Sequence, residues 1–132
     1  MAEQYPRMPA VYIAGPYRSH TKAGIDANIT VAKKVGALAS LKGWSAVIPH
    51  ANTAHLDEVA QLPDEFWLAA TMELLRRCDA IVLCPGWQRS SGTLAEVAEA
   101  ERRGMPIYYT ESELPPVEVW RTLPANDNCA RG

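Results

Sequence analysis

Several common signals are missing from this sequence, and each absence removes a class of function. Thirteen Lys and Arg stand against 15 Asp and Glu, for a formal charge of -2, so no basic footprint for a nucleic-acid polymer is present. No apolar run approaches the ~20 residues of a membrane span. The opening MAEQYPRMPA lacks the apolar centre of a signal peptide. The three cysteines, Cys78, Cys84 and Cys129, are odd in number and match no metal spacing, and they read as reduced, structural thiols of a cytoplasmic protein. His50 and His55 have no third ligand nearby, so no metal site is expected. A Walker A loop is absent, and no GxGxxG follows the first apolar run, which argues against a dinucleotide cofactor.

What is present has the rhythm of an α/β domain. At 132 residues the chain is expected to be one domain with a single substantial core, spanning about 10–109 and followed by a tail, 110–132. Val11 to Ala14 reads as a strand stopped by Gly15-Pro16. A polar loop leads to a helix capped by Asp26 or Asn28, with Val31, Ala32, Val35, Leu38 and Ala39 at helical spacing. Lys42-Gly43 ends that helix, and Trp44 to Ile48 is a second strand. The long connection HANTAHLDEVAQLPDE precedes a helix from Phe66 to Arg77, with Leu68, Met72 and Leu75 on one side. Ala80 to Cys84 has the length and bulk of a buried parallel strand. A loop, Trp87 to Gly92, leads into a helix from Thr93 to Gly104, and Pro106 to Tyr109 is the next strand. Val117 to Leu123 reads as a short helix or an oligomer contact, and both chain ends read as loose. The order predicts a doubly wound, mostly parallel sheet flanked by helices, of the Rossmann or flavodoxin-like kind.

Ligands of such folds bind at the carboxyl ends of the strands. Three loops should converge there: Gly15 to Arg18, His50 to Asn52, and Trp87 to Thr93. Ser90, Ser91, Gly92 and Thr93 enter a helix, where small residues let backbone N–H groups approach a phosphate or sugar hydroxyls. Arg18 is placed to meet a phosphate or a surface acid. His50 is placed to hydrogen-bond a ligand, and Trp87 and Trp67 either stack on a base or pack in the core. Two readings of Glu96 stand open: a catalytic carboxylate, or the far end of a capping box with Thr93. Tyr12 is a core residue whose hydroxyl needs a partner, and a carboxylate across the site would serve.

Two signatures, Tyr12-Ile-Ala-Gly15-Pro16-Tyr17-Arg18 and Cys78-Asp79-Ala-Ile-Val followed by Ser90-Ser-Gly92-Thr93-Leu-Ala-Glu96, resemble the nucleoside 2-deoxyribosyltransferase-like superfamily. The chain is most similar to a branch of small, often phage-borne domains, with deoxynucleoside 5′-monophosphate N-glycosidases as relatives. The resemblance covers about residues 10–109. It implies that Glu96 attacks or stabilises the anomeric carbon and that Tyr12 orients its carboxylate. It also implies that Ser90, Gly92 and the helix start hold a 5′-phosphate or 5′-hydroxyl, with Arg18 near the phosphate. The substrate would be a nucleoside or nucleotide, with no cofactor, in a homodimer or higher homo-oligomer. The superfamily's aspartate on the helix before the central strand corresponds here to Thr71.

Three functions compete. The first is an N-glycosidase or deoxyribosyltransferase using Glu96. The second is a non-catalytic nucleotide-binding or sensing module, favoured by Thr71, because a threonine is no general acid at neutral pH. The third is a phosphoribohydrolase of the cytokinin-activating type, whose GGxGTxxE loop is matched only in Gly92-Thr93-Leu-Ala-Glu96, with Gly86-Trp87 replacing the double glycine.

Overall fold

The computed structural model describes residues 7–53 and 56–124. His55, Cys129 and residues 1–6, among the sequence expectations above, lie outside them.

Four strands form one sheet: β1 (Ala10–Ala14), β2 (Ser45–Val47), β3 (Ala80–Leu83) and β4 (Ile107–Tyr108). Their order is β2-β1-β3-β4, and every pairing is parallel. Side chains of a strand alternate between the two faces of its sheet, and both faces here are covered. Val11, Ile13, Ala80 and Val82 pack with Ala32, Val35 and Ala39 on one side. Tyr12, Ala14, Ile81 and Leu83 pack with Leu75, Val97 and Ala100 on the other. Double burial explains why these strands read as continuous apolar runs rather than alternating ones. The fold is α/β, doubly wound, and flavodoxin-like in its strand order.

Helix α1 (Lys22–Leu41) lies on the first face. Its cap is Thr21, whose side chain accepts from the Gly24 N–H at 3.0 Å, and not Asp26 or Asn28. The helix therefore starts earlier than expected. Its buried stripe is Ile29, Ala32, Val35, Gly36 and Ala39; Val31, a residue off that stripe, is exposed. Gly43, at φ 96, turns the chain out of the helix.

The long connection is not one loop. Pro49 opens α2 (Pro49–Thr53), and a helical turn covers Leu56–Glu58. Helix α3 (Asp64–Arg76) begins with Asp64 and Glu65, acids that suit a helix N-terminus. Of its residues only Leu75 is fully buried.

At the amino end of the sheet, Asp79 clasps β1 twice. Its N–H donates to the Ala10 carbonyl at 2.8 Å, and its carboxylate accepts from the Ala10 N–H at 2.8 Å. Helix α4 (Ser91–Arg102) follows β3 through a turn at Trp87–Arg89.

After β4, residues 111–120 form a docked strap that includes the short helix expected there. The Lys42 ammonium donates to the carbonyls of Glu111 and Leu114, each at 2.7 Å, and pairs with the Glu111 carboxylate at 2.9 Å. Trp44 donates from Nε1 to the Pro115 carbonyl at 2.8 Å. Leu114 and Val117 are buried in the first core face. In α5 (Val117–Trp120), Trp120 meets the Trp44 ring edge to face, with centroids 5.0 Å apart. No helix among the described residues is long and apolar enough to cross a membrane.

Candidate functional site

The chain leaves β1 towards β2 and leaves β3 towards β4, so the connections diverge between the two central strands. A crevice at their carboxyl ends is the geometric result. A cavity of about 510 Å³ occupies it, bounded by Gly15 to Arg18, by Pro49 and His50, by α3 and by the start of α4. That volume lies in the range of small-molecule sites.

Tyr12 and Glu96 form its floor. Tyr12 is fully buried in the middle of β1, and its hydroxyl donates a hydrogen bond to Glu96 Oε2. Burial raises the Glu96 carboxyl to about 7, against which the Tyr12 hydrogen bond acts. The Tyr12 hydroxyl is itself held far above its ordinary range, by burial first and by the Glu96 charge second. A carboxylate so placed is poised to meet positive charge developing in the cavity.

The capping alternative for Glu96 is settled by the helix start. Ser90 is the N-cap, its Oγ accepting from the Thr93 N–H at 3.2 Å and from the Thr93 hydroxyl at 2.9 Å. Thr93 is then the third residue inside the helix, and Glu96 lies three further on, beyond the reach of a capping box. Its carboxylate is spent on Tyr12 and leaves Oε1 without a hydrogen-bond partner among the described residues.

Gly15 and Gly92 play different parts. A Cβ on Gly15 would stand 2.5 Å from the Cβ of Cys84, so the glycine lets the ends of β1 and β3 approach. Beside Gly92, which lines the cavity, a Cβ would meet nothing within 4 Å. Cys84, buried under the floor, has its thiol pushed up to about 12 by burial and by Glu96, which makes it an inert packing group.

His50 lines the cavity but commits its Nε2 to the loop, donating to the carbonyls of Gly15 at 3.0 Å and Pro16 at 2.8 Å. It is 5% exposed, and burial lowers its pKa and keeps it neutral. Its role in the geometry is to pin the loop that carries Arg18. Arg18 reaches Asp64 at 3.3 Å across the mouth.

Of the two tryptophans, Trp67 lines the cavity. Trp87 does not; it packs against the second core face and meets Tyr109, ring centroids 5.7 Å apart. Leu68, 51% exposed, and Met72 face the same space.

Sequence reasoning missed Arg89. It lines the cavity beside the α4 N-terminus and has no ion-pair partner among the described residues. The only signal was a cation at the end of the loop, which looks like any surface arginine. Three cavity features thus favour an anion: a helix N-terminus, Arg89 and Arg18. Among the described residues no group of three or more His, Cys, Asp and Glu is placed to hold a metal ion.

No curated protein matches the chain. A family model described as a domain of unknown function (DUF7768) matches residues 9–110, which takes in the sheet, α1 to α4 and the whole cavity wall. The chain belongs to the DUF7768 family.

Proposed function

We propose that this protein is an N-glycosidase or deoxyribosyltransferase that cleaves the base–sugar bond of a nucleoside or its 5′-monophosphate. The observation that carries this reading is the Tyr12–Glu96 pair on the floor of a cavity whose rim favours an anion. Breaking an N-glycosidic bond builds positive charge at the anomeric carbon, and a desolvated carboxylate lowers that barrier by attack or by electrostatic stabilisation. Tyr12 fixes which way the carboxylate points. Ser90, Gly92 and Thr93 at the start of α4, with Arg18 and Arg89, receive the 5′ end. Gly15 and His50 shape the wall, and Trp67 offers a face to the base. The sequence resemblance to nucleoside 2-deoxyribosyltransferases supports the same assignment. A cytoplasmic homodimer or higher homo-oligomer, working without a cofactor, completes the proposal.

The second reading, a non-catalytic nucleotide-binding or sensing module, is favoured by one observation: α3 sets Thr71, which supplies no acid, against the Tyr12 hydroxyl. One experiment separates the two. The protein is incubated with ribo- and deoxyribonucleosides and their 5′-monophosphates, and free base is measured by chromatography. Base release that disappears in Glu96→Gln supports the enzyme. Saturable nucleotide binding by calorimetry without release supports the module.

A further inference from the structure

Glycosidic cleavage needs a nucleophile or electrostatic partner on one side and a fate for the departing base on the other. For a neutral base that fate is protonation, because the base otherwise leaves as an anion. The cavity wall therefore has to contain a proton donor, or the substrate must do without one.

The titratable groups on the wall leave no such donor among the described residues. Glu96 cannot attack the anomeric carbon and protonate the base in the same step. The Tyr12 proton is held by Glu96. The His50 Nε2 proton is held between two backbone carbonyls. Thr71 gives its hydroxyl proton to the Leu68 carbonyl at 3.0 Å. Asp64 accepts from the Arg18 guanidinium at the solvent-exposed mouth. Arginines do not release protons, and the hydroxyls that remain, the Tyr17 phenol among them, are weak acids at neutral pH.

Resting on the glycosidase reading above, we propose that the substrates are nucleotides whose base carries a formal positive charge through its glycosidic nitrogen. Pyridinium nucleotides and N7-alkylated purine nucleotides share this chemistry. Their C1′–N bond breaks with its electron pair passing to the ring, which cancels the positive charge, so the base leaves neutral and needs no proton. C1′ takes an oxygen of Glu96, or is held by it as a cation. Water then adds its oxygen to C1′, the electron pair returns to Glu96, and one proton goes to solvent. The rest of the wall suits a cationic ring. Trp67 and Tyr17 bring aromatic faces. Asp64 brings a negative charge whose exposed pairing with Arg18 is weak enough to exchange for a ligand cation.

The test compares the full chain acting on nicotinamide mononucleotide and 7-methylguanosine 5′-monophosphate with its action on adenosine, guanosine and deoxyguanosine 5′-monophosphates, read as released base over roughly pH 5 to 9. The expected result is a kcat/KM for cationic bases higher by about 100-fold or more, the usual worth of a general acid. The pH profile should have one rising limb and no falling limb from an acid. Release from nicotinamide mononucleotide alone would assign the pyridinium source, and release from 7-methylguanosine 5′-monophosphate alone the purine source. Thr71→Asp, which adds an acid to the wall, should narrow the ratio by raising release of the neutral bases. Equal release of neutral and cationic bases by the unmodified chain overturns this proposal and leaves the glycosidase reading standing. No release from any of the five overturns both.

Discussion

The Tyr12 hydroxyl of β1 and the Glu96 carboxylate of α4, 84 residues apart in the chain, share a hydrogen bond on the cavity floor. It joins the centre of the sheet to the helix that carries the proposed nucleophile. Each partner alone has a bland reading, as a core tyrosine or a surface helix acid. Together they make a buried ionisable pair that the fold must accommodate at a cost in stability.

That cost should be measurable. Burial raises the folded-state pKa of Glu96 from 4.5 to about 7. The folded protein therefore holds this proton more tightly than the unfolded chain, and stability falls as pH rises from about 4.5 to 7. Above pH 7, Glu96→Gln removes the buried charge. It should stabilise the protein by roughly 1–3 kcal/mol and raise the thermal midpoint at pH 8 by several degrees, with little gain at pH 4. Calorimetry at the two pH values checks this. Equal midpoints for wild type and variant at pH 8 would mean that the charge costs nothing.

Activity should follow the same group with the opposite sign. A nucleophilic Glu96 must be ionised, so kcat/KM should rise through an apparent pKa near 7. The Tyr12 hydrogen bond lowers that pKa, and Tyr12→Phe should move the rising limb to higher pH and reduce the plateau by about 10-fold or more. A Tyr12→Phe profile superimposed on that of the wild type would remove Tyr12 from the proposed mechanism.

Gly92→Ala separates binding from folding. The new Cβ meets no atom within 4 Å, and alanine is the better helix former by about 1 kcal/mol. The thermal midpoint should hold or rise while affinity for a 5′-monophosphate drops several-fold, as titration calorimetry would show. Undiminished affinity would place the phosphate elsewhere.

Gly15→Ala should do the reverse. Its Cβ would lie 2.5 Å from Cys84 Cβ, and overpacking of this kind costs about 1–3 kcal/mol. Cys84→Ala should give only partial rescue, because alanine removes the Sγ at 3.0 Å but keeps the Cβ at 2.5 Å. Urea titration of the single and double variants would show it, and full recovery in the double variant would mean that the thiol was the obstacle.

Strands and major helices were legible in the sequence because double burial leaves strands uniformly apolar and α1 keeps a helical stripe. Tyr12 and Glu96 were legible as separate candidates, since a core phenol and a carboxylate early in a helix each need a partner. The helix starts were harder to read. Thr21 and Ser90 compete with neighbouring residues of equal capping power, and only backbone geometry decides between them. Trp87 looked like a ligand contact but packs against Tyr109 outside the cavity wall, whereas His50 lines the cavity with its Nε2 engaged by two loop carbonyls. Arg89 was invisible, as a lone cation gains meaning only from the wall it joins. The short helix of the strap was legible, but its docking was not, because its anchors, Lys42 and Trp44, sit about 70 residues away in the chain.

The strap also divides the molecule's labour. It buries Leu114 and Val117 against the α1 side of the sheet, whereas Tyr12, Glu96 and the cavity belong to the side covered by α3 and α4. The family match stops at residue 110, where the strap begins. The cavity side of this sheet is built wholly from the shared module, and the strap braces the opposite side from beyond the module's end.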